Sequence, residues 1–215
     1  MKSSQNTIIW DWNGTLLDDV NICLESINSL LEERHLEKLS LDTYSRVFTF
    51  PVIDYYRKVG FDFEKENWEK VAMEFMDRYF ERLEGCPLFG DALFALEFFK
   101  TQGYRQVILS AMEQNALVTS VNEREIGKYF KQIVGIDNHY AGGKSHNGVT
   151  MIKKYELNSV NTWFIGDTLH DAEIAKELGC HCVLVANGHQ DKERLAESGF
   201  PVLNSLTELI SLFTK

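Results

Sequence analysis

From residue 104 onward, short apolar runs alternate with stretches of helical spacing, and this rhythm restricts the fold more than any other feature. The runs at 105–109, 132–134, 162–165 and 182–186 have the unbroken apolar character of strands covered on both faces of a parallel sheet. Between and after them, 113–124, 147–155 and 172–178 carry helical spacing, with Gly179 placed to close the last. The order is βαβ, so the expected class is α/β with a doubly wound parallel sheet. Residues 7–10 supply one earlier strand, yet nothing strand-like follows until 105.

Four amphipathic helices fill that gap. The first is expected to be capped by Asp19 and presents Val20, Leu24, Ile27 and Leu31 on one face. Two shorter ones, 41–49 and 52–59, are divided by Pro51 and closed by Gly60. In the last, 64–83, Trp68, Val71, Phe75, Tyr79 and Leu83 form one apolar stripe. Its aromatic members are expected to be the core of this helical module. The chain thus divides into an α/β core, residues 1–17 and 86–215, and a helical insertion, residues 18–85.

Charge narrows the partners. The 215 residues carry 22 Lys and Arg against 32 Asp and Glu, a net charge of −10, which disfavours nucleic acid and anionic membrane surfaces. No window approaches the roughly 18 apolar residues of a membrane span, and no signal-peptide pattern opens the sequence. A cytoplasmic location is expected, with Cys23, Cys86, Cys180 and Cys182 as reduced thiols.

Ligands of open α/β sheets bind beyond the carboxyl ends of the strands. At those ends lie Asp11, Ser110, and Gly166-Asp167 followed by Asp171, while Lys144 stands in the loop Gly142-Gly143-Lys144. Taken singly, each has an ordinary reading: an Asp or Ser after a strand caps a turn or helix, and a loop Lys is solvated. Together they suit phosphoryl transfer, with a carboxylate nucleophile, a second carboxylate to share a hard cation, and a lysine and hydroxyl for the phosphoryl oxygens.

Asp11-Trp12-Asn13-Gly14-Thr15-Leu16-Leu17-Asp18, Ser110, Lys144 and Gly166-Asp167-Thr168-Leu169-His170-Asp171, in this order, resemble the four motifs of the haloacid dehalogenase superfamily. The insertion after the first motif resembles the helical cap of its phosphoglycolate-phosphatase-like branch. The resemblance implies a Mg²⁺-dependent phosphatase of small phosphorylated metabolites, working through an aspartyl-phosphate. On this reading Asp11 is nucleophile and metal ligand, Asn13 offers its backbone carbonyl to the metal, and Asp167 completes the protein's ligands. Asp171 holds the metal through water or orients Lys144, while Ser110 and Lys144 position the transferring group.

One position departs from the pattern. Asn13 stands where family phosphatases carry the Asp that protonates the leaving oxygen, and an amide cannot move that proton. General acid–base catalysis is typically worth about 10²–10⁴-fold. Aryl and acyl phosphates, whose leaving groups depart unprotonated, are therefore expected to turn over faster than phosphoglycolate, and Asn13→Asp to gain on alkyl phosphates. A second reading is a catalytically weak domain that binds a phosphorylated ligand. A mutase or dehalogenase fits less well, because mutases of this family use the missing acid and dehalogenases do not need the retained Gly-Asp-x-x-x-Asp motif.

Lys144 is not followed by the proline common in the family, which leaves Lys153 and Lys154 as rivals, although both fall inside a helical pattern. The Gly-Gly-Lys-Ser run is no Walker A loop, since position 138 is Asn. Cys180-His181-Cys182 is expected to pack in the core rather than bind zinc, for want of a second ligand pair. His170 is either a solvated loop residue or faces substrate, and Arg46, Arg57 and Lys58 are expected to be ordinary exposed cations.

Overall fold

The computed structural model describes residues 5–137, 144–154 and 157–214. Its six strands are β1 (Thr7–Trp10), β2 (Arg105–Glu113), β3 (Gln132–Ile136), β4 (Thr162–Gly166), β5 (His181–Val185) and β6 (Val202–Leu203). They form one sheet in the order β3-β2-β1-β4-β5-β6, and every neighbouring pair is parallel. This is the doubly wound order, in which the chain reverses direction across the sheet between β1 and β4.

Among the described residues ten α-helices accompany the sheet: α1 (Val20–Glu33), α2 (Leu41–Val47), α3 (Val52–Lys58), α4 (Trp68–Leu83), α5 (Ala92–Thr101), α6 (Gln114–Glu123), α7 (Lys144–Lys154), α8 (Leu169–Leu178), α9 (Lys192–Ala196) and α10 (Leu206–Phe213). Strand residues alternate between two cores. Ile8, Trp10, Ile108, Ile165 and Val183 pack with α5, α6 and α10, whereas Ile9, Val107, Phe164, Cys182 and Leu184 pack with α7, α8 and α9. Both faces are covered, and that is why the strands are apolar at every position instead of at every second one.

Helices α1 to α4 follow β1 in the chain and have a hydrophobic cluster of their own, built on Ile27, Leu30, Leu31, Tyr44, Tyr56 and Val71. Helix α4 starts at Trp68, where the Asn67 side chain accepts from Lys70 N, and not at 64. Helix α5, the short helix α9, strand β6 and helix α10 were not anticipated from the sequence. Strand β2 extends to Glu113, so Ser110 lies within it, beside a register shift between Leu109 and Glu113. Lys144 is the first residue of α7 and not a loop residue. Positions 138, 142, 143 and 155, and the side chains of Lys153 and Lys154, lie outside the described residues. Among the described residues no helix is long and apolar enough to cross a membrane.

Candidate active site

The sheet's reversal places the ends of β1 and β4 side by side, and Asp11 N donates to Ile165 O at 2.8 Å to continue their ladder. Asp11 and Asp167 leave these two ends. Asp171 follows on the first turn of α8, where Thr168 and Asp171 form a reciprocal capping box. Lys144 reaches in from the start of α7, its Nζ 2.5 Å from Asp11 Oδ1 and 2.6 Å from Asp171 Oδ1. All four side chains are buried.

Each carboxylate is held differently. Asp171 Oδ2 accepts from Thr168 Oγ1 at 2.7 Å and from the Thr168 and Asp167 amides, so one of its oxygens is fixed to the backbone and the other to Lys144. Asp167 accepts from Thr15 Oγ1 at 2.9 Å and from His189 N at 2.6 Å. Gly14 and Gly188 allow this approach: a Cβ at either would run into Asp167, and Gly14 has φ +70°.

Charge here is out of balance. Burial pushes Asp11 well above the usual carboxylate range, helped by Asp171 and Asp167 against the pull of Lys144. Burial likewise lifts Asp167 to about 6, whereas Lys144 and Thr168 overcome burial and hold Asp171 low. The oxygens of Asp11, Asp167 and Asp171 lie within 4.8 Å of one another. A cluster of hard oxygen donors with more negative charge than its lysine neutralises fits a divalent cation such as Mg²⁺.

Ser110 is fully buried; its Oγ accepts from Met112 N at 3.0 Å and lies 3.5 Å from Asn13 Oδ1. The Asn13 amide donates through Nδ2 to Asp19 Oδ2 and to Tyr79 Oη, both at 2.7 Å. Asp19 also accepts from Tyr79 Oη at 2.8 Å and from Gly14 N at 2.8 Å, and His189 Nε2 stands 3.5 Å away. These partners outweigh the effect of burial and keep Asp19 ionised.

Two expectations are corrected here. Asp19 precedes α1 but makes no side-chain cap bond, because its carboxylate is turned into the site. Tyr79 is more than module core, since its hydroxyl joins Asn13 to Asp19. His189 is a residue the sequence reading missed. Its Nδ1 lies 2.9 Å from Tyr44 Oη, and although burial opposes its charge, Asp19, Asp167 and Asp11 raise it to about 9. Extending the strand-end search to β5 would have found it, as Asn187-Gly188-His189 follows that strand directly.

A cavity of about 160 Å³ runs from Asp11, Asn13 and Lys144 to the aromatic residues of α2, α3 and α4. Arg46 and Arg57 pair with Asp42 and Asp54 at the surface, Lys58 is exposed, and none of the three lines this cavity. His170 stacks on Phe50 at 4.8 Å. Cys180 and Cys182 are buried free thiols, and His181 lies on Trp163 at 4.4 Å.

The family model for haloacid dehalogenase-like hydrolases matches residues 8–185. A phosphoglycolate phosphatase of Pseudomonas syringae pv. tomato is 20% identical over 94% of this chain and 78% of its own length. One from Rhodobacter capsulatus is 22% identical over 85% of each. Among solved structures, a predicted phosphatase from Clostridium acetobutylicum superimposes with a TM-score of 0.78 at 19% identity, covering 99% of both chains. A haloacid dehalogenase-like family protein from Streptococcus pneumoniae gives 0.75 at 18%, covering 98% of this chain and 99% of that one. At such identities the structural likeness speaks for the fold.

Proposed function

The chain belongs to the haloacid dehalogenase-like hydrolase family, and from that premise we propose that it is a Mg²⁺-dependent phosphatase of small phosphorylated metabolites that works through an aspartyl-phosphate. The observation that carries this reading is the buried set Asp11, Lys144, Asp167 and Asp171 at the reversal point of the sheet.

Asp11 attacks phosphorus, the leaving oxygen departs, and water then cleaves the acyl phosphate at phosphorus to regenerate Asp11. Lys144 lies against the nucleophile and so neutralises the transferring phosphoryl group, and Asp171 orients it. Ser110, with its hydroxyl beside Asn13, supplies a hydrogen bond to a phosphoryl oxygen. Asp11, Asp167 and the Asn13 backbone carbonyl would hold Mg²⁺, with Asp171 reaching it through water. Bound there, the cation supplies charge neutralisation and alignment of the phosphoryl oxygens. Residues 18–85 act as a cap over residues 1–17 and 86–215, enclosing the aspartyl-phosphate from bulk water.

The test is phosphate release from acetyl phosphate, an aryl phosphate, phosphoglycolate and sugar phosphates, with Mg²⁺ and with chelator, against Asp11→Asn. Metal-dependent release lost in the variant supports the phosphatase. Binding of a phosphorylated ligand without release selects a phospho-ligand-binding domain, the reading that Asn13 favours by replacing the acid.

A further inference from the structure

The far end of the active-site cavity has a chemical character of its own. Its walls are Tyr44, Phe48, Tyr55, Tyr56, Trp68 and Phe75, backed by aliphatic side chains of α3 and α4. The aromatic rings brace one another: Tyr44 stands edge-on to Tyr55 at 5.9 Å, and Tyr56 edge-on to Trp68 at 5.1 Å. Such a wall is preformed and offers flat apolar faces to a bound group.

Among the described residues, the only cations lining this cavity are Lys144 and His189. Both are engaged, Lys144 by Asp11 and Asp171, and His189 by Asp19 and Tyr44. Asp19 also lines the cavity, whereas the Glu113 carboxylate is taken up by the Asn115 and Ala116 amides at the start of α6. A substrate whose distal end is a carboxylate, as in phosphoglycolate, would meet aromatic carbon there and no spare positive partner. A sugar would leave its hydroxyls against aromatic carbon. An aromatic ring meets neither objection. The whole cavity, reacting end included, measures about 160 Å³, little more than the roughly 150 Å³ that takes one benzene ring, which limits the distal group to a single ring. The Tyr55 hydroxyl, buried in the wall, has no hydrogen-bond partner among the described residues and is left for a polar atom of the ligand.

The reacting end points the same way for a separate reason. The Asn13 amide donates to Asp19 and Tyr79 and carries no proton it can release, so the reaction favours a leaving group that departs as an anion. Phenols ionise near about 10, as tyrosine does, and a phenolate can leave in that form where an alkoxide cannot.

We propose that the substrate is an aryl phosphate, its ring seated between the aromatic residues of α2, α3 and α4 and its phosphoryl group on Asp11. This deepens the phosphatase reading and rests on it. In the first step the Asp11 carboxylate forms the bond to phosphorus and the aryl C–O–P link breaks at phosphorus, releasing phenolate. In the second, water displaces Asp11 from phosphorus. The proton freed by that water balances the one phenolate takes from solvent, and the products are a phenol and inorganic phosphate.

Phosphonates test the cavity without any leaving group. Benzylphosphonate and phosphonoacetate are compared as competitive inhibitors of acetyl phosphate turnover by the whole protein, with inorganic phosphate as the common reference. Burying a ring predicts that benzylphosphonate binds about tenfold or more tightly than phosphonoacetate. Ala72→Phe, which fills the cavity from α4, is expected to cut that ratio at least about threefold while inorganic phosphate still inhibits. Equal binding, or tighter phosphonoacetate, overturns the aryl assignment and leaves the phosphatase intact if acetyl phosphate is still hydrolysed. No phosphate release from acetyl or phenyl phosphate removes the phosphatase reading and the aryl phosphate with it.

Discussion

Asn13 Nδ2 lies 2.7 Å from Asp19 Oδ2, so the residue in the position of the family's acid serves as a hydrogen-bond donor to a buried carboxylate. An aspartate at 13 would set two carboxylates face to face, and such a pair holds one proton between them. Asn13→Asp is therefore expected to cost about 1–3 kcal/mol in stability, read as a lower denaturant midpoint. The shared proton becomes available to a leaving oxygen. Turnover of an alkyl phosphate relative to an aryl phosphate should rise at least about tenfold; an unchanged ratio would show that proton supply does not limit the reaction.

Lys144 is the cation between Asp11 and Asp171. Removing one partner of a buried pair leaves uncompensated charge, typically worth about 3–5 kcal/mol. Lys144→Ala should lose turnover and unfold at markedly lower denaturant, and added Mg²⁺ should restore part of the stability but none of the activity. Wild-type stability in the variant would mean the ion pair contributes nothing to folding.

The carboxylate cluster predicts that Mg²⁺ stabilises the folded protein without any substrate present. A ligand held only by the native state adds about 2.7 kcal/mol at a hundred times its dissociation constant. The thermal midpoint should rise with Mg²⁺, fall back with chelator, and be insensitive to Mg²⁺ in Asp167→Asn. A midpoint indifferent to Mg²⁺ in the wild-type protein would count against the site.

These three predictions differ in how far the sequence alone could have led to them. Asp11 and Asp167 were legible because they follow apolar runs whose type and order fix the sheet, and Asp171 because it comes four residues after Asp167. Lys144 was found as well, but set in a loop, because Gly142 and Gly143 precede it and helix propensity says little at a helix's first residue. Asp19 and Tyr79 were hidden by their own local patterns. An Asp before a helix resembles a cap, and a Tyr on an apolar stripe resembles core; only tertiary contact shows both turned toward Asn13. His189 lay one strand beyond the search, and the cavity's aromatic wall comes from three helices that no single stretch of sequence aligns.

His189 gives a pH dependence. Its folded value of about 9 is above the ordinary 6.5 because, although burial disfavours its charge, Asp19, Asp167 and Asp11 favour it more. A raised value means the stabilisation is complete below about 6.5 and is lost as pH rises through about 9. With chelator present, the wild-type protein should lose more stability than His189→Gln between those two pH values. Parallel curves for the two proteins would remove His189 from the account.

The central claim is that Asp11 carries the phosphoryl group. The measurement that tests it is an acid quench of the Mg²⁺-loaded protein turning over phenyl phosphate, followed by mass spectrometry of the peptide that contains Asp11. The account predicts a phosphorylated peptide, modified at Asp11, that is absent from Asp11→Asn and from chelator-treated protein. Phosphate release at undiminished rate in Asp11→Asn, with no modified peptide in the wild type, would contradict it.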